Sequence, residues 1–192
     1  MDHDTPLPGW DAIPGVVSVG DPEPRELDAR YFDTADLTLA RAGYALRRRS
    51  GGPDAGWHIK GPDTGGGREE LHWPLGASDD EPVPAAIVAH LASLTDAALT
   101  PLARIRNTRT AYALSDDQGG VVAEFVDDRV RAKDERSGRE QSWREWEFEL
   151  GSAAPDDVTE RAAIFTAVET AVNAVGGRDA ASASKLARTL GY

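Results

Sequence analysis

The sequence predicts an α+β fold built on one antiparallel sheet or barrel, and three observations carry that reading. Segments of alternating apolar and charged residues recur through the middle of the chain, separated by glycine-rich turns. Two stretches, 82–99 and 155–176, space their apolar residues as amphipathic helices do. The 192 residues contain no internal repeat and no low-complexity tract, so the length points to one domain. Within it, 1–24 is loop-rich, 25–150 holds the strands with a helix at about 82–99, and 151–192 supplies the C-terminal helices.

The elements follow from local pattern. Residues 1–24 are rich in Pro, Gly and Asp, and only "GVVSV" (15–19) is apolar, which predicts a loop with a short extended piece. A strand is expected at about 25–33, "RELDARYFD". "TADLTLARAG" (34–43) reads as one short helix, with Thr34 as N-cap and Gly43 closing it. Strands are expected at 44–50, 56–62 and 68–75, joined by the turns "SGGPDAG" and "DTGGG". Ile87, Leu91, Leu94 and Leu99 mark the helix at 82–99. Further strands at 101–116, 121–133 and 142–150 bring the expected count to about seven. The helix at 155–176 opens with the acidic turn that its dipole favours, and 181–192 is a last short one.

Composition excludes several functions. There are no cysteines, so disulfides, thiolate metal sites and cysteine nucleophiles are ruled out. A net charge of −12 repels nucleic-acid polymers and anionic membranes, yet it leaves room for a small phosphorylated ligand in a local basic cavity. "MDHDTPLPGW" has no basic region ahead of an apolar run, and no stretch approaches the roughly 18 apolar residues that cross a bilayer. The expected location is cytoplasmic.

The strands carry a second pattern. Residues two apart share a face, and one face is expected to read Arg47, Arg49, His58, Lys60, Arg68, Glu70, His72, Arg104 and Arg106. It continues with Glu124, Asp128, Glu145, Glu147 and Glu149, while Leu46, Trp57, Ile59, Leu71, Trp73, Ile105, Phe125, Trp146 and Phe148 take the other. A solvated outer face on an ordinary sheet is one explanation. The sign-sorting favours another: solubility surfaces mix signs, and three glutamates on one strand repel each other unless cations sit among them. If the sheet curls into a barrel, this face lines a lumen. Arginine there matches phosphate geometry, and carboxylates hold the hard cations Mg²⁺ or Mn²⁺.

At these residues the sequence resembles the CYTH domain, or triphosphate tunnel metalloenzyme, family. "YFDTADLTLARAGYALRRRSGG", "GWHIKGP", the R-x-E at Arg68 and Glu70, "LARIRNTRTAYAL", "AEFVDDRV", "WREWEFEL" and "SKLARTLGY" occur in the family's order. The resemblance covers about 27–192 and implies an antiparallel β-barrel (tunnel) of seven to eight strands with helices packed outside. It implies binding, and cleavage with Mg²⁺ or Mn²⁺, of a triphosphate-containing small molecule; some members are adenylate cyclases. Carried over by motif, Arg47, Arg49, Lys60, Arg68, Arg104 and Arg106 would grip phosphates, with Lys185 near the tunnel mouth. Asp128, Glu145, Glu147 and Glu149 would hold metal, and Glu145 and Glu147 would orient the attacking water. His58 and His72 are expected as polar lining rather than metal ligands, Glu70 and Glu124 either as ligands or as neutralising partners of arginines. Arg48 and Asp127 should point to the other face.

The family's N-terminal E-x-E-x-K strand has no counterpart in this sequence, whose first residues resemble the segment just after it. The expectations are an N-terminal truncation, a protein that binds without hydrolysing, or a strand supplied by a partner chain or second copy at the edge. The function expected is a metal-dependent triphosphatase acting on inorganic tripolyphosphate or another compact triphosphate. The alternatives are an adenylate cyclase or a non-catalytic polyphosphate- or nucleotide-binding module.

Overall fold

The structure is a computed structural model describing residues 4–63, 68–78, 82–182 and 184–192; the side chains of Asp63 and Arg68 lie outside the described residues. The strands are β1 (Ser18–Val19), β2 (Glu23–Asp33), β3 (Ala45–Ser50), β4 (Gly56–Asp63), β5 (Arg68–Trp73), β6 (Thr100–Ser115), β7 (Val121–Asp134) and β8 (Glu140–Leu150). They form one eight-stranded sheet in the order β5-β4-β3-β2-β6-β7-β8, with β1 pairing β6. The expected fold class is found. The extra strand beyond the seven counted is β1, inside the "GVVSV" read as a short extended piece.

The helices are α1 (Thr38–Arg41), α2 (Ala85–Leu91), α3 (Val158–Ala174) and α4 (Lys185–Leu190). Two expected helices are shorter than their apolar spacing suggests. In place of 34–43 there is a single turn, α1, whose N-cap position is Leu37 rather than Thr34. The fully enclosed Asp33 carboxylate explains this: it accepts from the backbone N–H groups of Thr34, Leu39 and Ala40 at 2.7, 2.9 and 3.0 Å. A buried carboxylate that satisfies three donors organises the turn more strongly than a hydroxyl cap. In place of 82–99, α2 ends at Leu91, while Leu94 and Leu99 pack from irregular backbone onto the same core as Ile87 and Leu91. Their spacing recorded burial and not helix.

The described chain divides into two compact units: residues 1–25, 107–130 and 142–183, and residues 26–106, 131–141 and 184–192. The first has a core of Trp10, Ile13, Leu114, Val122, Ala123, Phe125, Ile164 and Val168, onto which Trp146 and Phe148 pack. Ile164 and Val168 come from α3, whose N-cap Asp157 accepts from Thr159 and Glu160 N–H at 2.9 and 3.0 Å. The second has a core of Leu39, Leu46, Trp57, Ile59, Ile87 and Leu91. These are the apolar halves of β3 and β4, covered by α1 and α2. Among the described residues no helix is long and apolar enough to cross a membrane.

Candidate functional site

The parts of β7 and β8 that lie in the first unit sort their side chains as the alternation requires. Asp127 turns to one face, where Arg144 Nε and Trp146 Nε1 donate to it at 2.7 and 3.1 Å. Asp128 turns to the other and is fully buried. There Asp128, Glu145 and Glu147 each offer a carboxylate oxygen, and the three oxygens lie within 4.8 Å of one another. An oxygen-only set of that size suits a hard divalent cation. Glu149, two residues further along β8, is exposed and outside that group.

The space among the carboxylates is shared with an arginine. Arg109, on β6, donates through Nε and Nη2 to Asp128 at 2.8 and 2.7 Å, and through Nη2 to Glu147 at 2.7 Å. Burial works against its charge, but Asp128 and Glu147 outweigh that, so its pKa is raised. Asn107 Nδ2 donates to Asp128 at 3.4 Å, and Trp143 Nε1 donates to Glu145 at 2.5 Å. Glu124 neutralises an arginine: Arg25 grips it in a two-bond fork at 3.0 and 2.9 Å.

In the second unit the cross-strand register brings the expected cations together. Arg47 lies opposite His58, Ala45 opposite Lys60, His58 opposite His72 and Lys60 opposite Glu70. Directly opposed residues share a face, so Arg47, Arg49, His58, Lys60, Glu70 and His72 stand on one side and Leu46, Trp57, Ile59 and Leu71 on the other. Glu70 lies 3.4 Å from Lys60 Nζ, 3.1 Å from His58 Nδ1 and 3.9 Å from Arg47 Nη2. Lys60 and Arg47 hold its pKa down against the opposing effect of burial. Burial, reinforced by the Arg47 charge, lowers the pKa of His58 to about 4, so its ring is neutral near pH 7. Its Nε2 meets the Asp54 carbonyl at 3.0 Å, and His72 Nε2 meets the Ala55 carbonyl at 3.3 Å. Neither histidine belongs to the metal-compatible group.

Arg104 and Arg106 stand elsewhere, which corrects the face expected for them. Both bind Asp28: Arg104 through Nε at 2.9 Å and Nη2 at 2.5 Å, Arg106 through Nε at 3.4 Å. On β2, Ala29 and Tyr31 oppose Arg49 and Arg47, whereas Asp28 and Phe32 oppose Ser50 and Leu46. Asp28 therefore lies on the Leu46 side of the sheet and draws the two arginines there. Arg48 is on that side too, as expected, buried and 3.5 Å from the Ser78 carbonyl. Arg68 opens β5, but its side chain lies outside the described residues. Lys185 opens α4, whose last carbonyls accept from Arg139 and Gln141.

Arg109 and Asp28 are the residues that sequence reasoning missed. Ile105, as the outward apolar position of β6, makes the even positions the expected polar ones. Tyr112 and Leu114 pack in the first unit's core while Asn107 and Arg109 meet Asp128, so the odd positions carry the polar face. Anchoring the alternation on Tyr112 and Leu114 would have found Arg109.

Comparison with known proteins agrees with this architecture. The CYTH domain family model matches residues 15–183. Two uncharacterised Mycobacterium tuberculosis proteins, from two strains, are each 38% identical over 198 residues, which is 97% of this chain and 38% of theirs. The chain thus spans well under half the length of these curated relatives. Among solved structures, a candidate adenylate cyclase of Bacillus halodurans aligns with TM-score 0.57 and 18% identity, over 86% of this chain and 82% of its own. A candidate adenylyl cyclase of Hippeastrum, described as having a dominant triphosphatase activity, aligns with TM-score 0.52 and 18% identity, over 92% and 84%. At such identities the likeness shows the fold.

Proposed function

The chain belongs to the CYTH domain family, and from that premise we propose that it is a metal-dependent triphosphate-binding domain that hydrolyses inorganic tripolyphosphate or another compact triphosphate. The observation that carries this reading is the grouping of Asp128, Glu145 and Glu147. Three carboxylates gathered on one strand pair, two of them sharing Arg109, leave net negative charge that a divalent cation would offset. One family match runs through both units, which supports reading 1–192 as a single CYTH domain.

In this reading Asp128, Glu145 and Glu147 would hold Mg²⁺ or Mn²⁺, which when bound would supply Lewis-acid charge and make water more acidic. Arg47, Arg49 and Lys60 bind the phosphate chain through charge-assisted hydrogen bonds. Glu145 or Glu147 orients the attacking water and accepts its proton as the terminal phosphoanhydride P–O bond breaks, releasing phosphate and pyrophosphate. The activity described for the Hippeastrum relative supports hydrolysis over cyclisation. His58 meets the Asp54 carbonyl and the Glu70 carboxylate through its two ring nitrogens, which is consistent with a hydrogen-bonding role.

The test is phosphate release from tripolyphosphate with Mg²⁺ or Mn²⁺, alongside isothermal titration with and without metal. Metal-dependent binding with phosphate release is expected. Binding without turnover points to the non-catalytic module, cyclic AMP from ATP to the cyclase, and no binding refutes the reading. Sedimentation of the same samples checks for a homodimer or a strand-donating partner.

A further inference from the structure

The turn between β3 and β4 places a carboxylate where a phosphate would be expected. Asp54 lies in "SGGPDAG", and its Oδ1 contacts Arg49 Nη2 while its Oδ2 lies 3.9 Å from Arg47 Nη2. Its carbonyl is 3.5 Å from Arg49 Nη2 and 3.0 Å from His58 Nε2. A single residue thus meets three members of the cationic cluster on one face of the sheet. The turn that presents it depends on glycine: Gly51 and Gly52 adopt φ +78° and +74°, and Pro53 follows with its restricted φ.

Arg47 is incompletely served by these carboxylates. Its contacts to Asp54 and Glu70 are both 3.9 Å, beyond hydrogen-bond length, and its buried Nε has no hydrogen-bond partner among the described residues. The cluster therefore combines Arg49, which Asp54 engages, with Arg47, whose Nη2 meets Asp54 and Glu70 only at 3.9 Å. Asp54 is itself half exposed, with 50% of its side-chain surface accessible, so it can leave without unpacking a core.

We propose that Asp54 is an internal stand-in for a phosphate group: its carboxylate occupies the Arg49 side of the cluster until an incoming phosphate chain displaces it, and so sets how much negative charge a ligand must bring. This rests on the proposed triphosphate-binding function and adds a residue that selects among anions. A phosphate chain first meets the Nη2 end of Arg47, then competes with Asp54 for Arg49. A short, weakly charged anion suffers most from that competition, whereas tripolyphosphate has charge enough to win it.

The experiment is isothermal titration of tripolyphosphate and pyrophosphate into wild type, Asp54→Asn and Asp54→Ala at low and at moderate ionic strength. Glu160→Gln serves as a control that removes one carboxylate on α3. Thermal melting establishes that each variant is folded. Both Asp54 variants are expected to bind about fivefold more tightly, with the larger gain for pyrophosphate and a smaller gain at higher salt. Binding equal to or weaker than wild type in folded Asp54 variants would overturn the proposal, because Asp54 would then position the arginines and not compete for them. A gain matched by Glu160→Gln would overturn it too, since net charge alone would account for it. If wild type and variants alike fail to bind tripolyphosphate, the functional reading itself falls and this proposal with it.

Discussion

Arg109 joins Asp128 to Glu147, its Nη2 standing 2.7 Å from each carboxylate. The guanidinium thus occupies part of the ground that a divalent cation would need. Replacing Arg109 by Met keeps bulk but leaves the fully buried Asp128 without its main counter-charge. Metal-free stability should fall by about 3–5 kcal/mol, the usual cost of breaking a buried pair from one side. Saturating Mn²⁺ should restore more stability to Arg109→Met than it adds to wild type, read by denaturant unfolding with chelator and with metal. Equal metal effects would show that arginine and cation do not compete.

The two arginine pairs should separate cleanly. Arg47→Ala with Arg49→Ala removes the cluster's strongest phosphate donors and should weaken tripolyphosphate binding at least about tenfold, since each charge-assisted bond contributes about 1.5–3 kcal/mol. Arg104→Ala with Arg106→Ala strips two charges tied to Asp28 on the other face. It should change affinity by no more than about threefold, through screened long-range charge. Titration calorimetry of both double variants decides, and the reverse order would place the phosphate site around Arg104 and Arg106.

Stability should fall with pH in a window that His58 defines. Its folded pKa is lowered to about 4 by burial and by Arg47, while the unfolded imidazole titrates near ~6.5. Above the unfolded value neither state is protonated and the native state loses nothing. As pH falls from about 6.5 towards 4, the unfolded chain takes up a proton that the folded ring refuses, at a cost of up to about 3 kcal/mol. Below the folded pKa both states are protonated and this loss saturates. Denaturant unfolding of wild type and His58→Gln across pH 7.5 to 4.5 reads the effect, and the variant should show a flatter profile.

Two glycines share a backbone angle but not a fate. Gly15 and Gly51 both have φ +78°, yet a Cβ at Gly15 meets nothing within 4 Å while one at Gly51 falls 1.9 Å from the Glu26 carbonyl oxygen. Gly15→Ala should cost about 1–2 kcal/mol, the left-handed penalty alone. Gly51→Ala should cost clearly more, because backbone must move, and should disturb the turn that carries Asp54. Paired thermal melts measure the difference; equal costs would mean that the β3–β4 turn yields freely.

The alternation of β3, β4, β5, β7 and β8 was legible because each is anchored by large apolar residues on one side: Leu46, Trp57, Ile59, Leu71, Phe125, Trp146. Their burial fixes which way the charged neighbours point, so Arg47, Lys60, Asp128, Glu145 and Glu147 were placed correctly on their faces. β6 was not legible, because it buries side chains on both faces. Ile105 and Leu114 are both enclosed although they stand at opposite parities, and one apolar residue could not show which parity was polar.

The sequence by itself determined the α+β class, the family, the carboxylate-rich strand and the arginine strand. All of these rest on residue type and on a two-residue period that the backbone enforces. The tertiary structure decided what each charge is answered by: Arg109 between Asp128 and Glu147, Asp28 drawing Arg104 and Arg106 away, and Asp54 folded back onto Arg49. These partners come from distant segments or from a turn whose path depends on glycine dihedrals. Electrostatic pairing acts through space over a few ångströms, and the linear order of residues does not record that distance.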